Sequence, residues 1–341
     1  MSADAKRRSS PRSHDKVIAF SISYQQDNML ARGMGYEHLR DLLLRLAGPI
    51  LRQGSSLAYG GHWKETDENF TFDLLRLVGD EPDLDEAEVG PGRDRIRIYN
   101  HSSWPHYLGV TTNTEARWMN ICRIVRVTQQ DAGFAAKDVV SDADARKKDA
   151  RVAFNTAVCA SAMRRIMMEG TSIPIAGAQP EIVPPVAARI LLGGKADGYS
   201  GFMPGIFEEA LVSLEHKRPI YVLGGFGGSA EILARAILAK GDKSPAEFTL
   251  KWQRKRTAEL AELLESSRQF RRPPRFRSTE ALFAALFRFV RAARKNPAAT
   301  LNTGLSDKET RDLLSTQNIP DAVRLVRKGL LNNALLSPLA M

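Results

Sequence analysis

Two segments carry the strongest fold signal in the sequence: Gly193-Gly-Lys-Ala-Asp-Gly-Tyr-Ser-Gly-Phe-Met-Pro-Gly-Ile-Phe-Glu-Glu-Ala210 and Pro219-Ile-Tyr-Val-Leu-Gly-Gly-Phe-Gly-Gly228. In each, a glycine loop follows an apolar strand pattern and precedes a helical one. In an open α/β sheet, ligands bind beyond the carboxyl ends of the strands, and glycine there lets backbone N–H groups approach a phosphate closely. The two segments therefore predict a parallel sheet with a nucleotide-type site at one edge.

Short apolar runs predict the strands of this sheet at residues 17–23, 55–59, 95–99, 187–192 and 219–223. Segments with apolar residues at helical spacing lie between them, and we predict helices at residues 36–51, 70–78 and 141–170. The segment 114–127 fits a helix or a strand. Because strands alternate with helices, the sequence favours a doubly wound, mostly parallel, Rossmann-like α/β sheet.

The sequence changes character near residue 240, where the strand pattern ends. Ser244-Pro-Ala-Glu247 and Ser306-Asp-Lys-Glu309 have the spacing of capping boxes, which predicts that a helix begins at each. We therefore expect three regions: a disordered basic tail at residues 1–15, a nucleotide-binding α/β domain at 16–240 and a helical basic region at 241–341.

One predicted helix of the C-terminal region has a wide apolar face, formed by Leu282, Phe283, Leu286, Phe287, Phe289 and Val290. An apolar surface of this size is normally covered. The helix therefore either closes over the α/β domain or pairs with another chain. We expect a homo-oligomer or an effector protein as the partner.

The composition excludes several classes of protein. The 341 residues contain two cysteines, Cys122 and Cys159, which are too few for a disulfide framework and have no metal-ligand spacing. No apolar run is long enough to cross a bilayer, and the N-terminus lacks the apolar stretch of a signal peptide. We therefore expect a cytoplasmic protein with no membrane partner, no metal and no required cofactor.

The net charge of +10 is concentrated away from the glycine loops. Residues 240–295 contain 15 Lys and Arg against 6 Asp and Glu. Nucleic-acid binding by this basic region is therefore a separate hypothesis from ligand binding at the loops. A charge run of this kind is most often a solvated face, so nucleic acid is the less favoured partner.

Candidate ligand-binding residues lie at the exits of the predicted strands. Lys195 has the charge to neutralise a phosphate. Glu208 and Glu209 fall in the first turn of a helix, where one is suited to hydrogen-bond a ribose hydroxyl or to act as an acid or base. Glu208 is the candidate catalytic residue. The full set is Ser21, Ser23, Gly60, Gly61, His62, Thr66, Gly193, Gly194, Lys195, Gly201, Met203, Pro204, Gly205, Glu208, Glu209, Gly224, Gly225, Phe226, Gly227 and Gly228.

Four motifs are shared with a known superfamily: Ser21-Ile-Ser23, Tyr59-Gly-Gly-His62, the segment from Gly201 to Leu211, and Gly224-Gly-Phe-Gly-Gly228. They resemble the SLOG superfamily, a Rossmann-like group that includes the nucleotide-sensing N-terminal region of melastatin-type TRP (TRPM) channels and the lonely-guy phosphoribohydrolases. The resemblance covers roughly residues 16–240 and is strongest to the prokaryotic TRPM-related branch. It implies a bacterial defence or signalling protein that binds ADP-ribose, cyclic ADP-ribose or a related NAD product.

The same resemblance raises an enzymatic alternative. The lonely-guy enzymes carry a Pro-Gly-Gly-x-Gly-Thr-x-x-Glu signature, whereas Met203-Pro-Gly-Ile-Phe-Glu208 lacks the second glycine pair and the threonine. The departure favours a sensor of an ADP-ribose-like nucleotide. Cleavage of a nucleotide N-glycosidic bond is the first alternative, and a nucleic-acid-binding module is the second.

Overall fold

The computed structural model describes residues 16–80, 96–174, 179–241 and 243–337, so the tail predicted at residues 1–15 lies outside the described residues. Within them, six strands form a parallel sheet and two form a separate antiparallel pair. The strands are β1 (Val17–Ser23), β2 (Ser56–Tyr59), β3 (Ile98–Ser103), β4 (Cys122–Val127), β5 (Thr171–Ile173), β6 (Glu181–Val183), β7 (Val186–Gly193) and β8 (Ile220–Leu223).

Helices connect these strands and make up the C-terminal region. Up to residue 240 they are α1 (Gln26–Leu30), α2 (Tyr36–Arg52), α3 (Phe70–Asp80), α4 (Thr112–Trp118), α5 (Ala150–Glu169), α6 (Gly205–Glu215) and α7 (Gly228–Leu238). Beyond it they are α8 (Leu250–Arg256), α9 (Ala258–Ser266), α10 (Thr279–Lys295), α11 (Pro297–Leu301), α12 (Asp307–Ser315) and α13 (Ile319–Asn332).

The central sheet has the strand order β4-β3-β2-β1-β7-β8, with every neighbouring pair parallel. The predicted doubly wound, Rossmann-like fold is therefore confirmed. β1 is buried along nearly its whole length, and its residues alternate between the two faces. Ile18 and Phe20 pack with α2, whereas Val17 and Ala19 pack with residues of α5.

The C-terminal helices pack against the sheet region of the same chain. Leu282, Leu286 and Val290 of α10 are buried in one cluster with residues of α6 and α7, and α13 packs on α2. The apolar face of α10 therefore closes over its own chain, and the expected oligomer or effector partner remains a prediction. Within the described residues, no helix combines the length and the apolar composition needed to cross a membrane.

Two predicted helix starts are wrong. The helix predicted from Ser141 begins at Ala150, because Ser141 caps only a single 3-10 turn while the Asp149 carboxylate accepts a hydrogen bond from Arg151 N at 2.7 Å. The helix predicted at Ser244 begins at Leu250, because the Ser244 hydroxyl accepts a hydrogen bond from Arg294 at 2.6 Å.

The structure also tests the second capping box, the segment 114–127 and the third predicted strand. The capping box at Ser306 is confirmed, with the Ser306 hydroxyl accepting a hydrogen bond from Glu309 N at 3.2 Å. The segment 114–127 contains both the end of α4 and the whole of β4. The strand predicted at 95–99 lies further along the chain, at β3, whose polar residues Asn100 and His101 are buried.

Candidate functional site

The sheet grows in opposite directions from β1 and from β7. From β1 the chain builds outward through β2, β3 and β4, whereas from β7 it builds outward to β8. The helices after β1 and after β7 lie on opposite faces of the sheet, which opens a crevice at the carboxyl ends of these two strands. A cavity of about 270 Å³ lies in this crevice, and we call it the switch-point cavity.

The switch-point cavity gathers residues from several strand exits that the sequence had predicted separately. Those that line it are Ser21, Ser23, Gly60, Gly194, Lys195, Gly205 and Glu209. Four further polar lining residues, which the sequence analysis missed, are Tyr59, Arg164, Tyr199 and Ser200. Arg164 lies on α5, remote in sequence from every glycine loop, so no local pattern marked it.

Arg164 separates the roles of the two adjacent glutamates. Its Nη1 donates to Glu208 Oε2 at 2.5 Å, and its Nε lies 3.5 Å from Glu209 Oε1. Glu208 is 2% exposed and does not line the switch-point cavity, whereas Glu209 does. The structure therefore holds Glu208 in a buried ion pair outside the switch-point cavity, whereas Glu209 lines it, and the catalytic role of Glu208 stays a prediction.

Arg189 on β7 is a buried cation next to the switch-point cavity, with 1% exposure. It donates to the hydroxyl oxygens of Ser21 at 2.8 Å and Ser213 at 2.9 Å, and its Nη1 lies 3.6 Å from Glu209 Oε2. Burial lowers the pKa of Arg189, and the charge of Glu209 opposes that shift. Because Ser21 accepts from Arg189, its own O–H is left to donate.

The electrostatics of the cavity favour an anion. Lys195, Arg164 and Arg189 bring three positive charges, and Glu208 and Glu209 bring two negative ones. In addition, α6 begins at Gly205 without a side-chain cap, and its first residues line the cavity. The N-terminus of a helix carries a partial positive charge and free N–H groups, so a phosphate is well placed there.

The second glycine loop is covered by the C-terminal region. A Cβ atom on Gly224 would overlap the carbonyl oxygen of Leu314, and one on Gly225 would overlap that of Thr316. These two glycines are therefore explained by the close approach of the end of α12. Neither lines the switch-point cavity.

The start of α7 packs on the first glycine loop. Gly228 has φ +66°, and a Cβ atom there would overlap the backbone of Gly193 and Gly194. Ser229 N donates to the carbonyl oxygen of Gly194 at 3.0 Å, and the Ser229 hydroxyl donates to that of Lys195 at 2.5 Å. The start of α7 thus packs on the first glycine loop, of which Gly194 and Lys195 line the switch-point cavity. The predicted ligand-binding residues of the second glycine loop do not line the cavity; they are Gly224, Gly225, Phe226, Gly227 and Gly228.

Of the predicted residues that follow β2, only the first, Gly60, lines the switch-point cavity. Gly61 packs against Tyr59, the Asn69 amide lies 3.2 Å from His62 Nδ1, and Thr66 is exposed. Burial lowers the pKa of His62. The predicted residues Gly61, His62, Thr66, Gly193, Gly201, Met203 and Pro204 flank the lining residues without lining the cavity.

His101 on β3 is a buried titratable group on the neighbouring strand. Its Nδ1 lies 3.3 Å from the carbonyl oxygen of Tyr99, and its Nε2 has no hydrogen-bond partner among the described residues. Burial lowers the pKa of His101 to about 4, and the charge of Arg189 also lowers it. The ring is therefore neutral at pH 7.

No metal centre is evident in the part of the chain that the structure describes, because no three His, Cys, Asp or Glu side chains are grouped to hold an ion. A family model described as SLOG cluster2 matches residues 12–313, which include the sheet, the cavity and most of the helical region. No curated protein matches the chain.

Proposed function

The chain belongs to the SLOG cluster2 family, and on this premise we propose that it binds a nucleotide-derived ligand in the switch-point cavity. Family membership indicates a nucleotide-related function. The observation that carries the proposal is the position of the cavity: it lies beyond the ends of β1 and β7, where open α/β sheets bind their ligands, and it has an excess of positive charge.

The lining suggests how such a ligand binds. Lys195 and the N-terminus of α6 face a phosphate, while Ser21, Ser23 and Glu209 offer hydrogen bonds to ribose hydroxyls. The volume of about 270 Å³ is slightly below the roughly 300–1,000 Å³ that small-molecule pockets occupy. We therefore expect one ribose-phosphate unit to be enclosed, with the rest of the molecule at the mouth.

We propose ADP-ribose, cyclic ADP-ribose or a related NAD product as the ligand, and a sensor in a bacterial defence or signalling system as the role. Support for a sensor comes from α6, which presents Gly205 and Glu209 to the cavity and also packs against α10. A displacement of α6 on binding would therefore reach the C-terminal helices, where a partner or a second copy would respond.

Calorimetric titration with ADP-ribose, cyclic ADP-ribose, NAD and AMP, followed by chromatography of the mixtures, tests this proposal. A sensor binds at least one of the first three with a stoichiometry of one and releases no product. Failure of all four compounds to bind would contradict a nucleotide-binding role.

One observation favours an N-glycosidic hydrolase as the second candidate. The Glu209 carboxylate lines the cavity, where it would reach a proton of water or of a ribose hydroxyl, and the guanidinium groups of Arg164 and Arg189, 3.5 and 3.6 Å away, hold it in position. In an enzyme, Glu209→Gln would lower turnover by orders of magnitude at unchanged affinity. In a sensor it would change affinity modestly, because the amide keeps an acceptor. Glu215→Gln is the matched control, since Glu215 lies on the same helix and outside the switch-point cavity.

A further inference from the structure

A second cavity, of about 400 Å³, lies on the other side of the Arg164 ion pair. Helices α5 and α6 form one wall, and residues 275–282 of the C-terminal region form the other. We call it the α5–α6 cavity. Its apolar wall residues include Val158, Ala162, Phe202, Val212, Phe276 and Leu282.

Most of the charged side chains that line the α5–α6 cavity are paired. Arg275 Nη1 lies 3.1 Å from Glu169 Oε2, and Arg277 Nη1 lies 2.8 Å from Glu215 Oε1. Glu208, which also lines this cavity, is held by its ion pair with Arg164. These carboxylates are thus already engaged by cations.

Arg165 is the exception. Its Nε is buried and has no hydrogen-bond partner among the described residues. Glu169 lies 3.9 Å away and already accepts from Arg275. Burial and the charge of Arg275 lower the pKa of Arg165, and the charges of Glu169 and Glu208 oppose that shift. The buried Ser161 hydroxyl, on the same wall, also has no described partner.

We propose that the α5–α6 cavity is a second binding site, for a small amphipathic molecule with one aromatic or branched apolar body and one anionic group. The apolar body would pack against Phe202 and Phe276, and the anionic group would accept hydrogen bonds from Arg165 and Ser161. One incompletely paired guanidinium matches one negative charge, so a nucleotide with several phosphates is a poor fit. The site is therefore distinct in chemistry from the switch-point cavity.

Two fluorescent probes of similar shape test the proposal on the full chain: 1-anilinonaphthalene-8-sulfonate, a monoanion, and N-phenyl-1-naphthylamine, its neutral counterpart. We expect saturable binding of the sulfonate with a stoichiometry of one. Arg165→Met is expected to weaken the sulfonate at least tenfold and to change the neutral probe less than twofold. Arg288→Met, an exposed arginine on α10, is the matched control and should change neither.

Val158→Phe locates the probe, because the added ring fills the α5–α6 cavity and should abolish binding of both probes at an unchanged circular dichroism spectrum. If that variant does not fold, the comparison of Arg165→Met with Arg288→Met still decides. Sulfonate affinity that is equal in these two variants, or no saturable binding by the wild type, would overturn the proposal. Nucleotide binding at the switch-point cavity is measured separately and does not depend on either result.

Discussion

Replacement of Arg164 by methionine is expected to destabilise the protein by about 3 kcal/mol, because it leaves the Glu208 carboxylate buried without its cation. The Glu208 side chain is 3% exposed and lies 2.5 Å from Arg164 Nη1. Loss of one partner of a buried ion pair costs about 3–5 kcal/mol. The lower end applies here, because Arg164 keeps 14% exposure and water can reach part of the site.

Urea unfolding followed by circular dichroism measures this loss as a change in the free energy of unfolding. The double variant Arg164→Met with Glu208→Gln is expected to recover about 2 kcal/mol, because it removes the uncompensated charge. Arg164→Met with Glu209→Gln should recover much less. In the single variant Arg164→Met, Glu209 still has a cation, because Arg189 lies 3.6 Å away, so its replacement removes no uncompensated charge. Equal recovery in the two double variants, or a loss below about 1 kcal/mol in the single variant, would refute the buried role of Glu208.

Lys195→Met is expected to weaken nucleotide binding about three- to tenfold at unchanged stability, because an exposed cation contributes roughly 1 kcal/mol. Calorimetry measures the Kd, with Lys137→Met, which removes an exposed lysine outside the cavity, as the control. The same Kd in both variants would contradict this prediction. His101, with a pKa of about 4, takes up a proton mainly after unfolding, so stability should fall by about 3 kcal/mol between pH 6.5 and 4. His101→Gln should remove that pH dependence in urea unfolding while His38→Gln keeps it; identical slopes would count against the assignment. Phe287→Asp should cost about 1–3 kcal/mol at unchanged mass in light scattering, because its helix packs on its own chain; a lower mass at unchanged stability would point to an oligomer interface.

Much of the fold follows from local patterns. β1 is buried on both faces, and the continuous apolar run of its first four residues is typical of a buried parallel strand. β3 was misplaced because Asn100 and His101 are buried polar residues, and the Asn100 side chain accepts its hydrogen bond from Trp63, which is distant in the sequence. The start of α8 was misplaced for a similar reason, since Arg294 engages the Ser244 hydroxyl.

The candidate site was only partly predictable. The first glycine loop and the ends of β1 and β2 could be identified, because strand exits of a parallel sheet meet at one edge. Glu208 and Glu209 point in directions about 100° apart on α6, so the packing of this helix in the fold decides that Glu209 lines the cavity and Glu208 is buried. No local pattern predicts the close approach of residues 314–316 to Gly224 and Gly225, because that helix end lies far along the chain.

Calorimetric titration of ADP-ribose into wild type, Ser200→Trp and Ser172→Trp tests the switch-point cavity most directly. Ser200 is exposed and lines the cavity, so an indole there occupies ligand space without disturbing the core, whereas Ser172 is exposed on β5. We predict binding with a stoichiometry of one to wild type and Ser172→Trp, and at least tenfold weaker binding to Ser200→Trp at the same thermal stability. No binding to any of them would exclude ADP-ribose as the ligand, and equal affinity in all three proteins would contradict a nucleotide site between β1 and β7.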